Sequence, residues 1–141
     1  MKKDFNINYP MIHQGTEKTE VVFFQKESEL FANIGNAENK HIYVTDSNIA
    51  LLPEVKKFLD EQKAKNQVVV ILPAGEENKT LDSVLTIVKT ALEADFNRNS
   101  VFTGIGGGVI TDMTAFASSI FKRGAKLELI PTSLLAMVDA A

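Results

Sequence analysis

Four glycines fall within residues 104–108, in the stretch TGIGGGVITD, and an acid, Asp112, follows four residues after the last of them. Glycine loses more backbone entropy on folding than other residues, so such a run inside a folded domain needs a conformational or steric reason. The apolar stretch SVFTGI (100–105) leads into the glycines, and a segment of mostly small residues, ITDMTAFASSIF (110–121), follows them. The pattern predicts a buried strand, a glycine turn and a helix.

A glycine turn in this position could bind phosphate. Glycine permits positive φ angles and lets a ligand approach the backbone itself. In an open parallel sheet, ligands bind at the carboxyl ends of the strands, where the strand order reverses. The free N–H groups at the start of the next helix, with the positive end of its dipole, attract phosphate oxygens. We therefore expect the pyrophosphate of a dinucleotide at residues 104–108; the alternative is a tight turn that packs closely and binds nothing.

Two familiar phosphate motifs do not match this turn. The dinucleotide fingerprint G-x-G-x-x-G, begun at Gly104, would need a third glycine where Val109 stands. No Gly-Lys-Ser/Thr follows the glycines, which excludes a phosphate-loop NTPase. The expectation of a bound phosphate therefore depends on the place of the turn between a strand and a helix.

Two further polar loops follow predicted strands. The stretch TDSN ends one strand, and its Asp46 and Asn48 are suited to ribose hydroxyls or an adenine edge. Taken alone, the stretch favours the alternative that Asp46, Ser47 or Asn48 caps a helix from residue 49 onward. The stretch PAGEENKT follows the next strand with Glu76 and Lys79, which could instead lie in a solvated loop. Because the carboxyl ends of parallel strands share one edge of a sheet, the three loops together favour a common site.

Strands and helices alternate along the chain, which is typical of a parallel α/β sheet. The predicted strands are 21–24, 41–46, 68–73, 100–105 and 126–131, and the predicted helices are 27–34, 51–59, 81–92 and 110–121. The first 20 residues are expected to form an irregular or edge-strand lead-in. The fold class we expect is α/β, with a Rossmann-like parallel sheet flanked by helices.

The helix at 81–92 has the clearest pattern. Thr80 is placed to cap its first turn. Its apolar stripe is expected to consist of Leu81, Val84, Leu85, Val88 and Leu92.

Bulk composition indicates an ordinary globular domain. The 141 residues are enough for one domain, and 45% hydrophobic with 23% charged residues argues against disorder. A net charge of −3 argues against nucleic acid or a membrane surface as a partner. The chain has no cysteine, no secretory signal and no apolar run near the roughly 20 residues of a membrane span, so we expect a cytoplasmic protein.

Beyond these features, the order of several motifs resembles a known family. GGGVITD, FKRG and IPTSLLAMVDAA resemble strings of the sugar-phosphate cyclase family, most closely its 3-dehydroquinate synthase branch, which run like G-G-G-V-I-G-D, R-G and P-T-T-L-L-A-x-V-D. PAGEENKT resembles the family's G-E-x-x-K-[ST] loop, and the likeness covers about residues 40 to 141. Two positions depart from the strings: Thr111 replaces a glycine, and Ser133 replaces the second threonine.

The resemblance implies an NAD-binding role for eleven residues. Asp46 and Asn48 would bind the adenosine end of NAD, and Glu76 and Lys79 would close over that half. Gly107, Gly108 and Ile110 would line the pyrophosphate, and Asp112 would bind the ribose or order the loop. The residues that would border the cofactor further along are Thr132, Ser133 and Leu135.

The resemblance also implies two catalytic residues. Arg123 resembles an arginine that reaches the substrate phosphate of a neighbouring subunit, and Asp139 resembles an aspartate near the reacting sugar. Their alternatives are an arginine that favours the helix dipole and a solvated aspartate. The family's metal ligands, one glutamate and two histidines, would lie beyond residue 141, so His13 and His41 are expected to be structural or surface histidines.

What the resemblance implies as a function is the NAD- and metal-dependent lyase reaction of the shikimate pathway. That reaction turns 3-deoxy-D-arabino-heptulosonate 7-phosphate into 3-dehydroquinate and phosphate, with Zn²⁺ or Co²⁺ as the metal, in a homodimer. We expect residues 1–141 to be its NAD-binding domain, inactive alone, with a helical domain for metal and substrate following. The alternatives are another cyclase that makes an inosose or a valiolone, a metal-dependent glycerol or alcohol dehydrogenase, and a non-enzymatic nucleotide-binding module.

Overall fold

Helices and strands account for most of the chain. The computed structural model describes residues 2–9, 15–34, 39–133 and 135–137. Its strands are β1 (Lys2–Tyr9), β2 (Gly15–Val22), β3 (His41–Asp46), β4 (Val68–Leu72), β5 (Val101–Gly106) and β6 (Lys126–Pro131). Its helices are α1 (Glu27–Ile34), α2 (Pro53–Ala64), α3 (Leu81–Glu93) and α4 (Gly108–Ile120), with short 3-10 turns at Ile49–Leu51, Glu76–Asn78 and Phe121–Arg123.

The central sheet is parallel and contains four strands in the order β4-β3-β5-β6. From β3 the chain moves outward to β4, returns past β3 to β5 and continues to β6. The strand order therefore reverses between β3 and β5, which is the position where open α/β sheets bind ligands. The expected fold class, a parallel sheet flanked by helices, is confirmed.

Each face of the sheet packs against two helices. Ile42 and Val44 of β3 lie in a core with residues of α3 and α4, such as Ile87 and Met113. Tyr43, which points to the other face because side chains alternate along a strand, packs with residues of α1 and α2. There its ring meets that of Phe58 edge to face, with centroids 5.1 Å apart.

The two strands nearest the amino terminus form a separate hairpin. β1 and β2 pair antiparallel from Lys2 opposite Val22 to Tyr9 opposite Gly15. The predicted strand at 21–24 is therefore wrong in its extent and its sheet. β2 and its pairing with β1 end at Val22, so Phe23 lies outside β2.

The ends of α2 and α3 follow simple rules of capping. Pro53 begins α2, where its missing N–H costs nothing. The Thr80 side chain accepts a hydrogen bond from Ser83 N at 3.2 Å, which confirms the predicted cap of α3. Among the described residues, no helix has the length and apolar character to span a bilayer.

Candidate functional site

The glycine turn joins β5 to α4 at the point where the strand order reverses. β5 ends at Gly106, Gly107 is the N-cap with φ −79° and ψ −168°, and no side chain caps the helix. The first bond within the helix runs from Thr111 N to Gly107 O at 3.0 Å. The backbone amides of residues 108–110 consequently have no acceptor inside the helix. Such amides, at the positive end of α4, can bind an anion.

The glycines of this turn serve two different purposes. A Cβ atom at Gly104 would lie 2.7 Å from Thr114 Oγ1, and one at Gly106 would lie 2.8 Å from Ile110 Cβ, so these two let α4 pack closely on β5. At Gly107 the nearest atom would be Ser133 Oγ, 3.7 Å away, and at Gly108 nothing lies within 4 Å. Packing therefore explains the first two glycines, whereas a Cβ atom at Gly107 would make an ordinary contact and one at Gly108 would meet open space.

Positive φ is not the reason for any glycine in the turn. The glycines with positive φ in the described chain are Gly75, at +118°, and Gly124, at +106°. The positive φ angles that glycine permits are therefore not used in this turn. The run is explained instead by close approach to the backbone. At Gly104 and Gly106 the neighbour is α4, and at Gly108 there is space that a ligand could enter.

Thr111, where the family strings have glycine, lies inside α4 and is buried. Its hydroxyl lies 3.2 Å from both Gly107 O and Gly108 O and can donate to either. The additional side chain is thus accommodated in an ordinary helical position. Its hydroxyl contacts backbone carbonyls of the turn and does not occupy the amides of residues 108–110.

The carboxyl end of β3 lies beside the glycine turn. Asp46 Oδ1 accepts hydrogen bonds from Asn48 N and Ile49 N, both at 2.8 Å. This bears out the alternative that Asp46 caps a short helix, here the 3-10 turn Ile49–Leu51. The bonds use one of its two carboxylate oxygens. The hydroxyl of Ser47 does not cap this turn; it accepts a hydrogen bond from Ala74 N at 3.0 Å and so ties the end of β3 to the loop after β4.

The loop after β4 reaches across β3 to α4. It turns at Gly75, whose φ of +118° explains a glycine there, and Asn78 Nδ2 donates to Ala74 O at 3.0 Å. Beyond it, Lys79 Nζ lies 2.9 Å from Asp112 Oδ2 in α4. The hydrogen bond to Asp112 raises the pKa of Lys79, with the nearby carboxylates of Asp112 and Glu76 acting in the same direction. The loop after β4 is therefore in direct contact with both the end of β3, through Ser47, and the start of α4, through Asp112.

The segment after β6 borders the turn from the other side. Thr132 N donates to Gly106 O at 2.8 Å, extending the pairing of β5 and β6. Ser133 Oγ accepts from Ala136 N at 3.2 Å and is the side-chain atom nearest to Gly107. The side chain of Leu135, in contrast, is 71% exposed.

For three other residues assigned to the site, the structure shows no side chain facing the glycine turn. The side chain of Ile110 is buried in the core beneath Gly106, so only its backbone N–H can face a ligand. Arg123 ends the 3-10 turn Phe121–Arg123, which follows α4 away from the glycine turn. Asp139, like His13, lies outside the described residues.

His41 is structural, as expected. It is buried, its Nδ1 donates to Asn39 O at 2.9 Å, and its ring stacks on Tyr43 at 5.3 Å. Within the described residues, no group of three or more His, Asp or Glu side chains could hold a metal ion.

A separate concavity of 290 Å³ lies between Leu59 of α2 and Ile71 of the edge strand β4. Its lining includes Ser47 and Ala50, which follow β3, and none of residues 104–112. We assign it no part in the site.

Known proteins resemble the chain at the level of sequence. A family model described as 3-dehydroquinate synthase N-terminal matches residues 69–141. A 3-dehydroquinate synthase of Acidithiobacillus ferrooxidans is 38% identical over 139 residues, which are 95% of this chain and 35% of that protein. One of Pyrococcus furiosus is 47% identical over 90 residues, which are 64% of this chain and 26% of that protein. The chain therefore spans about a third or less of the length of these curated relatives.

Solved structures share the fold. A 2-deoxy-scyllo-inosose synthase complexed with carbaglucose-6-phosphate, NAD⁺ and Co²⁺ has a TM-score of 0.70 and 23% identity, over 98% of this chain and 38% of that one. A 2-epi-5-epi-valiolone synthase from Streptomyces hygroscopicus with NAD⁺ and Zn²⁺ bound has a TM-score of 0.64 and 23% identity, over 85% of this chain and 37% of that one.

Proposed function

The chain belongs to the 3-dehydroquinate synthase family, and on that premise we propose that it is the NAD-binding domain of such an enzyme. The complete polypeptide would convert 3-deoxy-D-arabino-heptulosonate 7-phosphate into 3-dehydroquinate and phosphate. Because the chain spans 35% of the Acidithiobacillus relative, the activity is proposed for the complete protein, and residues 1–141 alone are expected to be inactive.

The observation that carries this proposal is the uncapped start of α4, where Gly108 leaves open space beside the backbone. The amides of residues 108–110 lack acceptors within α4, and no atom lies within 4 Å of the Cβ position of Gly108. A pyrophosphate could therefore approach the backbone there and accept hydrogen bonds from it. The residues present thus suit a dinucleotide, since its most highly charged group meets bare amides at the positive end of a helix.

The other residues would hold the cofactor on either side of the turn. Asp46 and Asn48 would face the adenosine ribose, with the oxygen of Asp46 that does not cap the 3-10 turn as the acceptor. The loop of Glu76 and Lys79 would cover the same half. Toward the nicotinamide, the residues that would border the cofactor are Asp112, Thr132, Ser133 and Leu135, with the amide of Ile110 completing the pyrophosphate contact.

When bound, NAD would supply a hydride acceptor that is regenerated within each catalytic cycle. The part of this chain is to orient that acceptor and to shield the reacting carbon from water. Thr132 helps with orientation because its N–H is bonded to Gly106 O, which fixes the segment after β6 against the turn. We propose that Asp139, which follows in the same segment, lies near the reacting sugar.

A divalent metal, Zn²⁺ or Co²⁺, is part of the proposed enzyme, but the described residues do not suit it, since they hold no cluster of three suitable ligands. We propose that the metal is held by a part of the complete protein outside residues 1–141. No step of the reaction is assigned to a metal in this chain.

We propose that the complete enzyme is a homodimer in which Arg123 reaches the substrate phosphate of the neighbouring subunit. A guanidinium group can donate two parallel hydrogen bonds to a phosphate, which suits that role. The segment Phe121–Arg123 ends in Gly124, with φ +106°, so the chain turns sharply after the arginine. Light scattering on the complete protein tests the dimer.

Another sugar-phosphate cyclase remains the second candidate, because an inosose synthase and a valiolone synthase share this fold. The two readings differ in substrate and not in the cofactor site. The test is phosphate release by the complete protein from the heptulosonate phosphate and, in parallel, from a hexose 6-phosphate, each with and without NAD⁺ and a chelator.

Release from the heptulosonate phosphate that requires NAD⁺ and stops with chelator is the expected result. Release from the hexose phosphate alone would replace the synthase by another cyclase. No release from either substrate, by a folded protein supplied with NAD⁺ and metal, would overturn the proposed activity.

A further inference from the structure

The turn that follows α4 has an unfavourable backbone conformation, and Arg123 is part of it. Gly124 N donates to Phe121 O at 2.7 Å, which closes a four-residue turn with Lys122 and Arg123 in its middle. Lys122 lies in the left-handed region, with φ 42° and ψ 46°. A lysine is disfavoured there because its Cβ atom crowds the backbone. Such a conformation persists only where the surrounding structure holds it.

Contacts on both sides of Arg123 hold this turn in place. Before the arginine, the ring of Phe121 is buried and lies 5.2 Å from the ring of Phe102 in the core. After it, Ala125 N donates to Ser118 O at 2.9 Å, which ties the chain leading into β6 to the last turn of α4. The backbone of Arg123 is therefore fixed from both directions.

Lys122 adds a contact between this turn and a different helix. Its Nζ donates to Phe96 O at 2.7 Å, just beyond the end of α3, and lies 5.5 Å from the centre of the Phe121 ring. Both contacts suit an ammonium group, which is a charged hydrogen-bond donor and is attracted by the face of an aromatic ring. They compensate for the left-handed backbone of Lys122 and connect the turn to α3.

We propose that Lys122 is a positioning residue for Arg123: its bond to Phe96 O holds the turn in the conformation from which the arginine reaches the substrate phosphate of the neighbouring subunit. An arginine on a freely moving turn would lose more conformational freedom on binding that phosphate, so a turn that is already ordered favours the contact. Lys122 itself would touch neither substrate nor cofactor. The inference rests on the proposed function, because it requires the role proposed there for Arg123.

Steady-state kinetics of the complete protein, with saturating NAD⁺ and metal, separate this role from a purely structural one. Lys122→Met removes the donor and keeps most of the side-chain length. We expect its KM for the heptulosonate phosphate to rise about three- to tenfold, as for the loss of one hydrogen bond, with kcat changed less than about twofold. The dissociation constant of NAD⁺ should not change, because the turn lies at the opposite end of α4 from the glycines.

Three variants serve as controls. Lys126→Met removes an exposed lysine from β6, just beyond the turn, and should leave KM unchanged, which controls for the loss of one positive charge. Lys122→Arg keeps a charged donor and should keep KM within about twofold of the wild type. Lys122→Gly relieves the left-handed backbone but removes the donor, so it should destabilise the domain less than Lys122→Met while still raising KM. A wild-type KM in Lys122→Gly would show that the bond to Phe96 O is not needed and would overturn the proposal.

A double-mutant cycle tests whether Lys122 acts through Arg123. The value of KM is measured for the wild type, Lys122→Met, Arg123→Gln and the double variant. In the Arg123→Gln background, Lys122→Met should alter KM less than about twofold, because the group that it positions is absent. Equal increases in both backgrounds would overturn the proposal and would mean that Lys122 acts independently of the arginine.

A loss of stability in Lys122→Met with no change in KM would also overturn the proposal, because it is the result expected of a purely structural residue. An unchanged KM in Arg123→Gln would overturn the role of Arg123 and this inference with it. A folded wild-type protein that releases no phosphate would refute the proposed function itself, which distinguishes the failures.

Discussion

A Cβ atom added to Gly106 would lie 2.8 Å from the Cβ of Ile110, a separation that packed side chains do not tolerate. The end of β5 and the first turn of α4 can therefore pack this closely only because Gly106 has no side chain. This contact fixes how closely the helix start approaches the sheet, and hence where the amides of residues 108–110 lie.

Gly106→Ala should consequently destabilise the domain. Ile110 is buried and cannot move away freely, so we expect the free energy of unfolding to fall by about 1–3 kcal/mol, the usual cost of overpacking. Urea unfolding of the chain measures the change. Gly107→Ala is the matched control, because its Cβ would be 3.7 Å from the nearest atom and its φ of −79° suits alanine. Equal losses for the two variants would contradict the division of the glycines.

Thr111→Gly restores the residue found in the family strings. Thr111 is an interior position of α4, where glycine is less favourable than threonine by roughly 0.3–0.5 kcal/mol in helix propensity, and some packing is lost in addition. The amide side of the turn is unchanged, and the affinity for NAD⁺ should therefore remain within about twofold of the wild type. Unfolding and calorimetry are measured side by side. A large loss of affinity with little loss of stability would mean that Thr111 contacts the cofactor.

Thr80→Ala removes the N-cap of α3. The lost hydrogen bond to Ser83 N should lower the free energy of unfolding by about 1 kcal/mol. Thr86→Ala changes an exposed threonine inside the same helix and should be neutral or slightly stabilising. If both variants lose the same stability, capping by Thr80 is not the cause.

The burial of Tyr43 predicts that the folded domain loses stability at alkaline pH. Burial raises its pKa well above 10, with the charge of Glu128 as a smaller cause. The unfolded chain ionises this tyrosine near pH 10 and the folded chain does not. Its stabilising contribution is thus complete below pH 10 and declines above it, by about 1.4 kcal/mol per pH unit.

The check is the pH dependence of urea unfolding between about pH 9 and 11.5. Tyr43→Phe should show a shallower decline than the wild type above pH 10, even though it also loses the 3.4 Å bond to Gln62. Parallel declines for the two proteins would show that Tyr43 is not the titrating group.

The parallel sheet could be predicted from the sequence because its signals are local and strong. The strand His41–Asp46 and the helix Glu27–Ile34 have the bounds that were expected, and Thr80 caps α3 as predicted. The family could be recognised because its motifs lie in the turns that any such site needs, and the family model confirms it.

The two paired strands of the hairpin were expected only as an irregular or edge-strand lead-in. Along β1, apolar residues alternate with polar ones at Phe5, Ile7 and Tyr9, a period of two that is typical of a strand. The nearby charged residues and Pro10 made this pattern a weak signal. The strand predicted at 21–24 followed an apolar run past Val22, where β2 ends.

The predicted apolar stripe of α3 is confirmed at Val84, which is buried, and at Val88, which packs against the core, but it is wrong at its two ends. Leu81 and Leu92 are 62% and 49% exposed, whereas Val84, Ile87 and Ala91 are buried. The predicted stripe followed the large apolar side chains. The buried stripe instead includes Ala91, whose small side chain allows close packing against the sheet and α4. Which face of a helix is covered depends on its neighbours, and a sequence pattern alone does not fix it.

The two purposes of the glycines could not be read from their spacing. Gly104 and Gly106 alternate along β5 toward α4, whereas Gly107 and Gly108 lie beyond the strand, and only the placed helix separates the two pairs. In the same way, the contact of Lys79 with Asp112 joins residues 33 positions apart, and it follows from the strand order β4-β3-β5.

The most direct test of the account is the NAD⁺ affinity of Gly108→Ala in the complete protein, measured by calorimetry beside its unfolding. No atom lies within 4 Å of the new Cβ, so stability should be unchanged or slightly raised. The methyl group would nevertheless occupy the space that a pyrophosphate needs, and the dissociation constant should rise by about tenfold or more, which is at least about 1.4 kcal/mol. An unchanged affinity for NAD⁺ would contradict the claim that bare backbone at this turn receives the dinucleotide.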